Sequence, residues 1–229
     1  MKKKNIFITG VGTETGKTFI CGLLLKKARS EGINAGYYKA AQSGGVPSDS
    51  QCAALSGGLE ETGAIASYTY TTPVSPHLAG RLEGNPAQIE KIRKDYFQAE
   101  ASHDLMIIEG SGGVVCPLRW DENGALMLED VIKLTGAPVV AVSGCALGSI
   151  NSAVLTAEYA ASHGFPLKGL IINRYKGGVM EDDNIKMIEA LSKVKILAVV
   201  KESQDNININ LSALLTNGAK SRPCLHLSD

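Results

Sequence analysis

The sequence predicts an α/β protein, a single domain built on a doubly wound, mostly parallel sheet. Three observations predict it. Short apolar runs alternate with longer amphipathic stretches along most of the 229 residues, the pattern of strand–helix–strand units joined by right-handed crossovers. The runs are apolar almost throughout, which suits strands covered on both faces. No internal repeat, low-complexity tract or Pro/Ser-rich linker divides the chain. Residues 1–218 are therefore read as one domain and 219–229 as an irregular polar tail.

The elements follow in order. Strands are expected over 5–9, 35–39, 105–109, 138–143, 168–173 and 195–199, each rich in Ile, Val, Leu or Tyr and most ending in a small or polar residue,. Helical patterns fill 17–31, 49–55, 86–101, 126–134, 149–163 and 181–193. The helix at 49 opens on Ser48-Asp49, an acid in the first turn that the helix dipole favours. In such sheets ligands gather beyond the carboxyl ends of the strands, and that is where the unusual residues fall.

Composition narrows the function. Lys plus Arg is 23 and Asp plus Glu is 23, so no global field attracts nucleic acid or an anionic membrane, and a bound polyanion has to be gripped locally. At 44% hydrophobic and 20% charged the chain is neither disordered nor fibrous. Aromatics at 5% are too few for base-stacking platforms. No run approaches the ~18 apolar residues of a membrane span. Lys2-Lys3-Lys4 followed by Ile6-Phe7-Ile8 is no secretory signal, because Glu14 and Lys17 interrupt the apolar run,; a cytoplasmic protein is expected. The five cysteines form no CxxC pair, so they read as scattered core residues rather than a disulfide framework or zinc site.

After the first strand comes Gly10-Val11-Gly12-Thr13-Glu14-Thr15-Gly16-Lys17-Thr18. A glycine-rich strand-to-helix turn aims backbone N–H groups and the helix's positive end at a phosphate. Lys17 then reaches the β/γ-phosphates and the Thr18 hydroxyl serves Mg²⁺. Five residues rather than four separate Gly10 from Gly16, a variant spacing in the required context, so the fold is P-loop NTPase-like. A second lysine, Lys39, closes the second strand beside this loop. Glu109 ends the third strand, 105–109, and runs into Gly110-Ser111-Gly112-Gly113; an acid there holds Mg²⁺ directly or through water. Thr18, Asp49 and Glu109 supply the hard oxygens that Mg²⁺ prefers. Lys17 and Lys39 oppose them as a pair of cations, a set suited to phosphoryl transfer by positioning and electrostatics. No Ser-His-Asp arrangement offers itself: His77 lies in a loop, and His103, His163 and His226 read as surface or tail residues.

These residues resemble the dethiobiotin synthetase family. The resemblance is carried by Gly10-x-x-Thr13-Glu14-x-Gly16-Lys17-Thr18, Lys39 with Ser43-Gly44, and Ser48-Asp49. It continues through Pro73-Val74-Ser75-Pro76-His77, Glu109-Gly110-Ser111-Gly112-Gly113, Leu147-Gly148-Ser149-Ile150-Asn151 and Asn173. It implies conversion of 7,8-diaminononanoate, CO₂ and ATP to dethiobiotin, through a carbamate whose oxygen takes the γ-phosphoryl group before the neighbouring amine closes the ring. It further implies a catalytic set of Lys17, Lys39, Thr13 and Ser43, and a nucleotide site from Gly12, Thr13, Glu14, Thr15, Gly16, Lys17 and Thr18, with Asn173 reading adenine. Substrate contacts are implied at Thr13, Lys39, Ser43, Gly112 and the segment Gly148-Ser149-Ile150-Asn151. In the family that segment binds the substrate carboxylate across a homodimer interface.

The chain departs from the family pattern at Gly12, where Asp is common, at Ala40 for Pro, at Ser111 for Ala and at Ser152 for His. No proline-containing counterpart to the family's last adenine contact is found in 199–204, which leaves the choice of base open between ATP, CTP and GTP. Two alternatives remain. A partitioning or positioning ATPase carries an additional loop lysine where Gly12 stands, and that lysine is missing. A ligase on another small amine or carboxylate keeps the fold and changes the acceptor.

Overall fold

The computed structural model describes residues 4–60 and 63–215. Its elements run β1 (Lys4–Gly10), α1 (Lys17–Ser30), β2 (Ala35–Ser43), α2 (Asp49–Gly57), β3 (Ala64–Tyr70), α3 (Pro76–Leu82), α4 (Ile89–Ala101) and β4 (Leu105–Glu109). The hairpin β5 (Pro117–Asp121) and β6 (Gly124–Met127) follows, then α5 (Leu128–Thr135), β7 (Val139–Ser143), α6 (Ser149–Ser162), β8 (Leu167–Tyr175), α7 (Val179–Ser192), β9 (Ile196–Lys201) and α8 (Leu211–Leu215). The expected tail, with Cys224 and His226, lies outside the described residues.

Seven strands form one sheet in the order β3-β2-β4-β1-β7-β8-β9, parallel at every pairing. From β1 the chain winds out to β2 and β3, returns through β4, then winds out the other way through β7, β8 and β9. The direction therefore reverses around β1 and β4, and the crevice at their carboxyl ends is where such a fold binds its ligand. Both faces are covered, as the unbroken apolar strands require. On one face Phe7, Tyr38, Met106 and Ile108 pack against Ile92 and Tyr96 of α4 and Val131 of α5. On the other, Ile6, Ile8, Tyr37 and Ile107 pack against Ile20, Leu24 and Leu25 of α1. A third cluster joins Ala141, Leu170 and Ile172 to Ala153 of α6 and Ile188 of α7.

The six expected strands and six expected helices are all present, with shifted ends. β2 continues four residues past Lys39, because Ala41, Gln42 and Ser43 pair with Tyr68, Thr69 and Tyr70 of β3. α4 starts at Ile89 rather than 86, and α5 at Leu128 rather than 126, because 124–127 belong to a strand. β3, α3, the β5–β6 hairpin and α8 are additions to the expected pattern. Cys21, Cys116 and Cys145 are buried and Cys52 is half-buried. His103, expected at the surface, is half-buried: its ring fills the space beside Gly36, where a Cβ would stand 2.7 Å from the imidazole.

Candidate nucleotide and phosphoryl-transfer site

The turn between β1 and α1 has the backbone of an anion cradle. Gly16 caps α1 at φ 87°, a left-handed conformation that glycine adopts without a Cβ penalty. Glu14 is also left-handed, at φ 57°, and its side chain is exposed together with that of Thr13. The loop after β4 lies against this turn: a Cβ on Gly113 would touch the Gly12 Cα at 3.4 Å. Gly112 makes that approach with φ 61°. The buried Ser111 hydroxyl fastens the same loop to β2 by donating to the Ala41 carbonyl at 2.5 Å.

Behind the cradle sits a buried charge cluster. The register of β2 on β4 places Lys39 opposite Glu109, so a strand pairing, not a chance loop contact, brings them together. Lys39 is 4% exposed and Glu109 2%. The Lys39 ammonium donates to Glu109 Oε1 at 2.5 Å and to Asp49 Oδ2 at 2.6 Å. The Thr18 hydroxyl, from the second residue of α1, shares its single proton between the same Glu109 oxygen at 3.0 Å and Asp49 Oδ1 at 3.3 Å,. Lys17, also buried, turns back to the Gly12 carbonyl at 3.1 Å. Burial pulls the Lys17 pKa below an ordinary lysine's, and the Lys39 charge adds to this. Burial pulls on Lys39 too, but the Glu109 and Asp49 carboxylates offset it and hold Lys39 above the ordinary value.

The expected metal ligands thus converge. A hydroxyl and two carboxylates are hard oxygen donors, and so small a protein set leaves room for phosphate oxygens and water, the pattern of Mg²⁺ rather than of Zn²⁺. Among the described residues no group of three or more His, Cys, Asp or Glu side chains could hold a metal on its own. Asp49 owes its place to the start of α2, where Ser48 and Gln51 cap the helix reciprocally,. It also depends on Gln42: the buried amide of Gln42 donates to Ser50 Oγ at 3.0 Å and accepts from the Ser50 N–H at 3.0 Å.

Asn173 reaches the same crevice from β8. Its Nδ2 donates to the Thr15 carbonyl at 3.0 Å, while its buried Oδ1 and the Thr15 hydroxyl have no partner within the protein. Buried polar atoms are normally satisfied, so an acceptor and a hydroxyl left open beside a phosphate loop mark a place for ligand atoms. Ser43 ends β2, its hydroxyl donating to the Val74 carbonyl at 2.6 Å. Gly148 caps α6 at φ 91°; Asn151 is exposed, and the buried Ser149 hydroxyl is unpartnered.

A family model described as an AAA domain matches residues 4–209. The ATP-dependent dethiobiotin synthetase of Brachyspira hyodysenteriae is 45% identical over 205 residues, 86% of this chain and 91% of that protein. That of Clostridium perfringens is 41% identical over 221 residues, 93% and 96% of the two chains. The chain belongs to the dethiobiotin synthetase family. Its likeness to more distant structures shows the fold alone. The MinC:MinD cell division complex of Aquifex aeolicus superposes at a TM-score of 0.58 with 16% identity, covering 87% of this chain and 82% of that one. The signal recognition particle 54 kDa protein of Aeropyrum pernix, solved with GDP, gives 0.59 at 11% identity, covering 93% and 45%. Two members of this family member's buried cluster escaped the motif reading. They are Tyr37, which donates to Glu109 Oε2 at 3.0 Å, and Gln42; the available signal was a polar or hydroxyl-bearing residue inside an otherwise apolar strand.

Proposed function

We propose that the protein is an ATP-dependent dethiobiotin synthetase that carboxylates 7,8-diaminononanoate with CO₂ and closes the ring to dethiobiotin, releasing ADP and phosphate. The observation that carries this reading is 45% identity to a dethiobiotin synthetase across 86% of the chain; the geometry is what the chemistry requires. One amine of the diamine adds to CO₂ and loses a proton, giving a carbamate. A carbamate oxygen bonds to the γ-phosphorus as the bond to ADP breaks. The second amine then attacks the carbamate carbon and phosphate leaves.

The first two anions repel one another, and this chain's lysines offset that repulsion. Lys17 lies at the phosphate turn. Lys39 is held by Glu109 and Asp49 at 2.5 and 2.6 Å, and we assign it to the transferring group. Both lie in a site shielded from water, where a fixed cation acts more strongly than in bulk solvent. Thr18, Asp49 and Glu109 would hold Mg²⁺, which neutralises phosphate charge when bound. Thr13 and Ser43 complete the catalytic set, with Gly112 lining the substrate side. The open Asn173 Oδ1 is a candidate acceptor for the exocyclic amine of adenine, beside a phosphate site formed by residues 12–18.

The substrate carboxylate is assigned to Gly148, Ser149, Ile150 and Asn151 at the start of α6, a helix N-terminus suited to an anion, with the Ser149 N–H itself taken by the Ala146 carbonyl at 3.0 Å. We assign this segment to a homodimer interface. Leu147 and Val179 are 91% and 88% exposed at the starts of α6 and α7, and Leu155, Met180 and Leu191 extend the apolar surface along the two packed helices. Among the described residues no helix is long and apolar enough to cross a membrane, and we place the enzyme in the cytoplasm.

Purified protein incubated with 7,8-diaminononanoate, bicarbonate, Mg²⁺ and ATP should yield dethiobiotin one-for-one with ADP by mass spectrometry. Nucleotide hydrolysis indifferent to the diamine would overturn the assignment. Repeating the assay with CTP and GTP decides the base preference.

A further inference from the structure

We propose that Tyr37 is a positioning residue for Glu109: its phenol pins one carboxylate oxygen, Oε2, and so keeps the other, Oε1, turned toward Thr18, Lys39 and the metal. The inference rests on the Mg²⁺ reading above and assigns a role to a residue outside the catalytic and binding sets.

Sheet geometry puts Tyr37 there. Tyr37 and Lys39 are two residues apart on β2, hence on the same face, and Glu109 is the register partner of Lys39 on the neighbouring β4. Tyr37 lies one row behind the ion pair, fully buried among Ile8, Ile20, Leu24 and Ile107. A phenol in such surroundings needs an acceptor, and Glu109 Oε2 at 3.0 Å provides one. The Cys21 thiol flanks the same carboxylate and is pushed up by burial and by Glu109.

The two oxygens of Glu109 therefore have different tasks. Oε1 takes both the Lys39 ammonium and the Thr18 hydroxyl, which are groups that themselves turn to phosphate and metal. The last torsion of a glutamate is broad and nearly two-fold, so those partners alone would let the carboxylate swing as they engage the ligand. Tyr37 lies outside the residues assigned to nucleotide and substrate, fully buried one row behind Lys39 on the same face of β2,. It thereby fixes the donor atom that the site presents, as outer hydrogen-bond partners do for metal ligands generally.

The test is Tyr37→Phe, which deletes one atom and retains the ring. Mn²⁺ serves as probe, titrated by electron paramagnetic resonance into the full-length protein with a non-hydrolysable ATP analogue. The variant should melt close to wild type, yet bind Mn²⁺ about tenfold more weakly. In a Glu109→Gln background, where the carboxylate is gone, the same change should add less than twofold. Tyr37→His, whose ring nitrogen ends short of the phenol oxygen, should bind Mn²⁺ as weakly as Tyr37→Phe, a second variant without the donor that keeps the prediction readable should Tyr37→Phe fail to fold. Wild-type Mn²⁺ binding in Tyr37→Phe, beside clear weakening in Glu109→Gln, would overturn the role of Tyr37 and leave the metal reading standing. An equal loss from Tyr37→Phe with or without Glu109 would overturn it as well, marking the effect as packing. Unchanged binding in Glu109→Gln would overturn the metal reading and this inference together.

Discussion

Lys39→Met separates the structural from the chemical work of the buried cluster. The change keeps the length of the side chain and removes the ammonium from between Glu109 Oε1 at 2.5 Å and Asp49 Oδ2 at 2.6 Å. Removing one partner of a buried ion pair costs about 3–5 kcal/mol, because the other charge is left without compensation. Two features of this site reduce that figure. Glu109 keeps the Thr18 and Tyr37 hydroxyls, each at 3.0 Å, and the Asp49 side chain, 42% exposed, is returned largely to water. A loss of about 2–4 kcal/mol remains. At ~2–4 °C per kcal/mol for a chain of this size, the melting temperature falls by roughly 4–16 °C. The double variant Lys39→Met/Glu109→Gln removes the stranded charge, so it should regain at least half of the lost stability while remaining inactive. Urea denaturation of the three proteins gives both numbers, and turnover is assayed in parallel. A Lys39→Met protein within about 0.5 kcal/mol of wild type, the range of ordinary surface changes, would refute the reasoning. So would a double variant less stable than the single one.

Two further outcomes follow from the geometry. Gly16→Ala should lose about 2–4 kcal/mol in urea denaturation: about 1–2 for a left-handed non-glycine residue, the rest from displacing Asn173, whose Nδ2 would stand 2.1 Å from the new Cβ and would give up its bond to the Thr15 carbonyl; a loss under 1 kcal/mol would show that the turn does not need glycine there. Glu181 accepts the backbone N–H groups of Lys176 and Gly177 at 2.7 and 3.0 Å, and those bonds hold its pKa below the ordinary glutamate value. A depressed carboxylate pKa stabilises the fold above the unfolded value, near 4.3, and that stabilisation is lost as pH falls through the folded one. Glu181→Gln should therefore melt below wild type at pH 7 with the gap narrowing toward pH 3; a gap independent of pH would assign the loss to packing.

The sequence-to-structure record divides along a physical line. The six strands were legible because each is a short, nearly unbroken apolar run, which only a doubly covered parallel sheet produces. β3 gives a weaker signal, because Ala-Ile-Ala-Ser-Tyr-Thr-Tyr mixes small and polar residues, although Tyr68 and Tyr70 alternate onto one face as strand residues do. α3 falls in the stretch around His77 whose pattern predicts a loop, yet Ser75 followed by Pro76 at its first position is a helix-start signal,. The hairpin Pro117–Asp121 and Gly124–Met127 was hidden inside the approach to α5, its turn carried by Asp121 to Gly124,.

The candidate site divides in the same way. Thr18, Lys17 and the glycines belong to one continuous stretch whose spacing follows from phosphate geometry, so a local motif reveals them. Asn173, Asp49 and Glu109 stand at strand or helix ends, where position in an α/β unit predicts proximity to the crevice. Tyr37 obeys neither rule, and Gln42, one residue from the end of β2, belongs to no motif that singles it out. Their importance depends on which strand lies beside β2 and in what register, and a parallel sheet sets that through crossovers far apart in sequence: Tyr37 and Glu109 are separated by 72 residues. A shift of one residue in the pairing of β2 with β4 would turn Lys39 to the opposite face from Glu109 and strand two buried charges. The ion pair and its tyrosine anchor therefore also lock the register that builds the site. The chemistry and the fold depend here on the same three side chains; the motif spacing reveals two of them, and the register of the sheet supplies the third.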